Sequence, residues 1–424
     1  MIKISTLLTC LLFIFSSLNA QQASPNFIFG DALPDAPELA TRGNLKVGVR
    51  TIEFINKDQI DILNAVDGVA PNYDRDLKVE IWYPAALKQN EAELVMYDQV
   101  MGSLNDKDRP IVPFTFAGRA ARDATPSTGK FPLIVVSHGY LGSRVLMTYL
   151  TENLASKGYI VAAIGHKEST FEDANGFQST LLNRPKDILF VMNEILEGDH
   201  FLSNNVQDDN VGIIGYSMGG YGVLNVGGAG YSEGLAKFFS GMTGGNKSIE
   251  SLTINNPDHS AMFDDRIKCI VAFAPWGMER GIWNAEGLKG LKLPTFFVAG
   301  SEDDISGYEK GIKAIYEGAS NTDRYLLTYT NARHNVAPNP PAEITMQPGL
   351  HFDEYYRYAE PSWDERRINN INQHFVTAFL GTYLKAEDHS DYLKMKVDSN
   401  EETWKGFKPR SSTGMKLEYL EKAK

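Results

Sequence analysis

The sequence predicts an α/β fold: a mostly parallel central sheet with helices on both faces, interrupted by two long insertions. Three observations carry this. Residues 133–137, 159–164, 211–214, 269–273, 295–299 and 325–329 are short apolar runs with almost no alternation. Runs of that kind mark strands covered on both faces. The segments between them change to a helical period, and strand-helix alternation builds parallel sheets. Two earlier runs, 47–54 and 77–83, alternate apolar and polar residues. They read as half-exposed antiparallel strands at the edge of the sheet.

In chain order, 143–158 reads as a helix with Ser143 as its N-cap and Gly158 as its stop. In 185–198, Ile188, Val191, Met192, Ile195 and Leu196 follow i, i+3, i+4, i+7, i+8. Pro185 suits the first turn of that helix and Gly198 its end. The insertions are 85–130, polar and without a clear period, and 226–264, rich in Gly, Ser and Asn. The organisation expected is a leader over 1–20, an N-terminal extension over 21–44, the main domain over 45–385 and a C-terminal extension over 386–424 packed on it. The charged residues of that last segment read as solvated surface.

The chain has 424 residues, 43% hydrophobic and 22% charged, which excludes a disordered chain, a collagen and a multi-span membrane protein. Its formal net charge of −12 repels phosphate backbones, so no nucleic-acid partner is expected. Lys3, an apolar run over 4–15 and a small-residue end at Ala20 form a secretory signal pattern. A secreted or periplasmic protein is expected, with an uncleaved anchor as the alternative. No other stretch approaches 18 uninterrupted apolar residues, so stable membrane insertion is not expected. Of the two cysteines, Cys10 leaves with the leader. Cys269 sits in an apolar run and reads as a buried small hydrophobe.

The chemistry gathers at strand ends. Gly215, Ser217 and Gly219 follow the 211–214 run directly, with Gly220 next. A tight strand-to-helix turn strains its central residue, and flanking glycines remove the Cβ atoms that would collide. The Ser217 hydroxyl then projects at the positive start of a helix. A serine nucleophile needs a base, and the base needs an orienting acid. On a sheet of this kind the order is serine, acid, histidine. Asp303 follows the 295–299 run; Asp304 beside it stays open as the acid. His334 follows the 325–329 run and has both the order and the strand-end position. His166, His200, His259, His351 and His374 lack one or both.

The oxyanion needs backbone donors. These are expected at Met218, just after the nucleophile, and in the turn after residues 133–137, at Tyr140 in preference to Leu141. His138 reads as a structural hydrogen-bonding residue. Tyr140, Tyr216, Met218 and Trp276 either line a substrate pocket or belong to the core. Residues 335–363, rich in proline and aromatics, are a lid, a pocket wall or a stiffened surface loop. No metal is expected, since neither H-E-x-x-H nor paired-cysteine spacing occurs. Asp258, His259, Asp264 and Asp265 read as a solvated polar loop.

Together, residues 47–51, 79–84, 132–139 (Pro-Leu-Ile-Val-Val-Ser-His-Gly), 215–220 (Gly-Tyr-Ser-Met-Gly-Gly), 274–277, 300–304 and 332–334 (Ala-Arg-His) resemble the α/β-hydrolase superfamily. Within it the chain is similar to bacterial dienelactone-hydrolase-like esterases and platelet-activating-factor acetylhydrolase-like proteins. The resemblance implies cofactor-free hydrolysis of a small-molecule or lipid-like carboxylic ester through an acyl-enzyme on Ser217, with Asp303 and His334 completing the triad. A peptidase or acyltransferase of the same fold, and a non-catalytic binding module, are the alternatives.

Overall fold

The structure, a computed structural model, describes residues 27–104, 106–174, 176–398 and 404–423. The leader expected over 1–20 lies outside the described residues. The strands in chain order are β1 (Lys46–Ile60), β2 (Asn72–Ala86), β3 (Val95–Met101), β4 (Val112–Gly118), β5 (Ala121–Arg122), β6 (Thr125–Pro126) and β7 (Phe131–Ser137). There follow β8 (Ile160–Gly165), β9 (Val206–Tyr216), β10 (Ile267–Phe273), β11 (Thr295–Gly300), β12 (Arg324–Tyr329) and β13 (Met415–Leu420). The central sheet runs β13-β12-β11-β10-β9-β7-β8-β2-β1-β5, with β6 attached to β2.

From β8 to β12 every neighbouring pair is parallel. These are the continuously apolar runs, and their residues are almost all buried. The alternating strands β1 and β2 join antiparallel at one side, as their half-exposed pattern predicts. Two helix pairs cover the sheet: Thr148–Ser156 with Glu365–Lys385, and Phe177–Glu197 with Met218–Val226. Phe375 and Phe379 of the long C-terminal helix pack on Phe296 of β11 at ring separations of 6.0 and 5.6 Å.

The structure corrects five local expectations. The helix expected from Pro185 begins at Phe177, so Pro185 lies inside it. A proline there cannot donate to the carbonyl four residues back, and the Tyr221 hydroxyl donates to that Leu181 carbonyl at 2.7 Å. Ser143 is not an N-cap, because the helix starts at Thr148. Its first-turn Tyr149 N–H donates to the Asn339 side chain, 190 residues along the chain.

Residues 85–130 hold the β3–β4 hairpin, in which Val95, Tyr97 and Phe114 are buried. The Trp82 indole donates to the Tyr97 hydroxyl and that hydroxyl to Glu152, each at 2.7 Å. Met415, Leu417 and Tyr419 of β13 are buried where β13 pairs antiparallel with β12, so only the alternate residues of that stretch face outward. His259 is a buried residue of the short helix Pro257–Ala261, not part of a solvated loop. Cys269 is buried, as expected.

Candidate active site

β9 ends at Tyr216 and the next helix begins at Met218, so Ser217 alone makes the turn, at φ 53° and ψ −111°. That backbone costs a non-glycine residue about 1–3 kcal/mol. The surroundings hold it there. The Ser217 N–H donates to the Phe273 carbonyl at 2.9 Å, and its own carbonyl accepts from Tyr221 at 3.0 Å and Trp276 at 3.1 Å. A Cβ on Gly219 would stand 1.9 Å from the Ser137 carbonyl oxygen, and one on Gly215 would stand 2.2 Å from the Gly219 carbonyl oxygen. The glycines therefore let the turn close on the end of β7.

The loops after β11 and β12 bring Asp303 and His334 to the same place. His334 Nε2 lies 2.9 Å from Ser217 Oγ, and His334 Nδ1 lies 2.9 and 3.0 Å from the two Asp303 carboxylate oxygens. An Nδ1–H donated to the carboxylate leaves the Nε2 lone pair toward the serine. Asp303 also accepts from the Ile305 and Ser306 amides at 2.9 and 2.8 Å. Burial raises the pKa of this carboxyl, but the His334 ring and those amides outweigh it, so the net value lies below the ordinary one. Asp304 turns away and pairs with Arg333 at 2.7 Å, so Asp303 is the acid brought to the histidine.

The turn after β7 faces the same serine. Leu141 and Gly142 both donate their N–H groups to the Ser169 carbonyl, at 3.0 and 3.3 Å. Leu141's amide is thereby engaged. Met218 is the first residue of its helix, where N–H groups have no intrahelical acceptor. His138 Nδ1 donates to the Gly139 carbonyl at 2.6 Å, and its Nε2 accepts the His166 N–H at 3.1 Å. Burial, with the Arg184 charge, pushes the His138 pKa far down, so the ring is a neutral structural link. Arg184 donates to the His138 carbonyl at 2.7 Å.

Behind this turn lies a second Ser-His-Asp array that the sequence does not announce. Ser137 Oγ lies 2.9 Å from His166 Nε2, and His166 Nδ1 lies 2.9 Å from Asp187. All three are buried. Arg75 grips the Asp187 carboxylate through two hydrogen bonds at 2.7 and 2.9 Å and reaches Glu168 at 2.9 Å. Burial pushes the His166 pKa down to about 3, helped by Arg184 and opposed by Asp187.

A cavity of about 400 Å³ opens on Ser217 and His334, walled by Tyr140, Tyr216, Met218 and Trp276 among others. All four candidate residues line this pocket, and Tyr216 and Met218 belong at the same time to the buried core, with Tyr140 and Trp276 packed against it. Phe177, which sequence reasoning missed, stands edge-on between Tyr140 and Trp276 at 5.7 and 5.2 Å. It opens the turns of helix that Pro185 concealed. Residues 335–363 form a pocket wall tied to the body. Asn335 braces the segment internally, donating to the Tyr356 and Ala359 carbonyls at 2.6 and 3.0 Å, and Asn339 ties it to the body by donating to the Val145 carbonyl at 3.0 Å.

Comparison with known proteins adds three findings. Residues 118–194 match the family model of platelet-activating factor acetylhydrolase, isoform II. That span holds β7 and the turn after it, but none of Ser217, Asp303 and His334. The chain is 23% identical over 207 residues to "Cutinase est1" of Thermobifida alba, covering 49% of this chain and 54% of the relative. It is 23% identical over 214 residues to a bis(hydroxyethyl) terephthalate hydrolase of Streptomyces coelicolor, covering 50% and 53%. The chain spans about half the length of the curated relatives it matches. Among solved structures, a ferulic acid esterase from Streptomyces cinnamoneus superposes with a TM-score of 0.55 at 19% identity, over 83% of this chain and 94% of that one. The fold is the α/β-hydrolase fold.

Proposed function

We propose that this protein is an exported serine hydrolase that cleaves carboxylic esters through an acyl-enzyme on Ser217. The observation that carries the reading is His334, 2.9 Å from the Ser217 hydroxyl through one ring nitrogen and 2.9 Å from Asp303 through the other. Ser217 Oγ attacks the ester carbonyl while His334 Nε2 takes its proton. His334 returns that proton to the leaving alcohol, and Asp303 holds the ring and stabilises its cation. The N–H groups of Tyr140 and Met218 receive the oxyanion, and water then releases the acid by the same steps. Tyr216 and Trp276 are the apolar contacts offered to the substrate.

The resemblances support the reaction class. The cutinase, the terephthalate-ester hydrolase, the ferulic acid esterase and the acetylhydrolase family share in their names only the carboxylic ester. The signal pattern over residues 1–20 supports export, and among the described residues no helix is long and apolar enough to cross a membrane. A panel of p-nitrophenyl esters of graded acyl length, run beside an aminoacyl anilide, tests the reading. Ester cleavage that disappears in Ser217→Ala is expected. Anilide cleavage without ester cleavage would replace this reading with a peptidase.

A further inference from the structure

One wall of the cavity is charged, and its buried charges do not cancel. Arg109, from the loop joining β3 to β4, and Arg357, from the segment after His334, line the same cavity as Ser217. Each side chain is 13% exposed. They share one buried carboxylate, Glu354, whose side chain is 4% exposed. Glu354 is already engaged: it accepts the Gly102 N–H at 2.6 Å and Arg109 Nε at 2.7 Å, and lies 3.8 Å from Arg357. The other acid beside them, Asp353, pairs with Arg109 at 2.9 Å but is 51% exposed, where water screens it. Asp304, also on the cavity, is 39% exposed and paired with Arg333. The buried wall therefore holds two guanidinium groups against one carboxylate.

The hydrogen bonds show the same surplus. Arg109 Nη2 is buried and has no acceptor among the described residues. Arg357 lies over the Phe171 ring at 4.0 Å and donates to the Gly102 carbonyl at 3.1 Å. Burial pulls the Arg357 pKa down against the attraction of Tyr358 and Glu354, the behaviour of a cation short of a counter-charge. Buried donors and charges are costly to leave unpaired. Planar guanidinium groups fit a carboxylate best.

We infer that the Arg109–Arg357 wall receives a carboxylate carried by the ester substrate, away from the bond that Ser217 attacks. The substrate class is an acidic ester: a half-ester of a dicarboxylic acid, or an ester whose alcohol part bears the acid. The inference rests on the esterase reading above and narrows its substrate.

The test compares each acidic ester with its neutral methyl ester. The p-nitrophenyl half-esters of succinate, glutarate and adipate place the carboxylate on the acyl side, and 4-acetoxybenzoate places it on the alcohol side. At neutral pH at least one acid is expected to exceed its methyl ester in kcat/KM by about 10- to 100-fold, chiefly through KM, as a charged hydrogen bond predicts. That ratio should fall about tenfold or more in Arg357→Met and partly return in Arg357→Lys. Should Arg357→Met fail to fold, the wild-type ratios and their decline with added salt still decide. Acids poorer than their methyl esters throughout, or a ratio unmoved in folded Arg357→Met, would overturn the inference. Failure of the esterase reading looks different: neutral esters would also be left intact.

Discussion

Two Ser-His-Asp arrays sit on opposite sides of the turn after β7, with matching distances and different surroundings. In each, serine to histidine and histidine to aspartate measure 2.9 Å. Ser217 sits on a strained turn that opens on a cavity beside a helix start. Ser137 ends a regular strand and is sealed, with its histidine and aspartate among Arg75 and Arg184. The comparison teaches that distances alone do not make a catalytic site. A carbonyl must be able to reach the hydroxyl, and donors must wait for the oxyanion. The buried copy lacks access: both ring nitrogens of its neutral His166 are engaged, by Ser137 and Asp187, and its backbone N–H donates to His138 in the turn that carries Tyr140.

The largest contrast expected is between the two serines. Ser217→Ala should lower kcat by ~10⁴–10⁶-fold. Ser137→Ala should keep activity of the same order and lose about 1–3 kcal/mol of stability, the cost of leaving the buried His166 Nε2 without its partner. Ester hydrolysis and urea unfolding on the two variants read this directly, and equal losses of activity would erase the distinction.

The acids should divide the same way. Asp303→Asn is expected to cost about 10⁴-fold in kcat, since the amide selects the wrong histidine tautomer, with a near-native unfolding midpoint. Asp187→Asn removes the better-bonded of the two carboxylates that hold the buried Arg75 guanidinium and leaves it Glu168 alone, a loss of up to about 3–5 kcal/mol in unfolding free energy. A Asp187→Asn protein as stable as the native one would show that the buried array does not hold the fold.

Acid separates the arrays more gently. His166 has a folded pKa near 3 against an ordinary 6.5, and His374 likewise. As pH falls below 6.5 the unfolded chain takes up these protons before the folded one, so stability falls from 6.5 toward 3. Asp303, held below its ordinary value of 3.8, adds its loss only as pH falls through that value. Glu152, whose carboxyl pKa burial pushes up to about 7, works the other way over the same window, so the contrast to read is between proteins: the native urea midpoint should lose more, or gain less, between pH 7 and pH 5 than that of His166→Gln. The same pH response in the native protein and His166→Gln would contradict a neutral buried His166.

The legible parts of the molecule were those whose cause is local. Strands β7 to β12 announce themselves because both faces are buried, which leaves no room for polar alternation. Ser217, Asp303 and His334 are legible because each follows such a strand. The misses have distant causes. Nothing near Pro185 says that the Tyr221 hydroxyl will serve the carbonyl it strands, and nothing near Ser143 says that Asn339 will cap the helix instead. Met415, Leu417 and Tyr419 alternate with Lys416, Glu418 and Leu420, a pattern that surface charge masks until β12 supplies the partner. Arg75, His166 and Asp187 have no spacing in common, and only the folded sheet brings them together.

Fluorophosphonate labelling followed by peptide mass mapping tests the central claim most directly. One adduct, on Ser217, is expected on the native protein, with none on Ser137 and none in Ser217→Ala. A native protein that takes no adduct, or takes it on Ser137, would contradict the account.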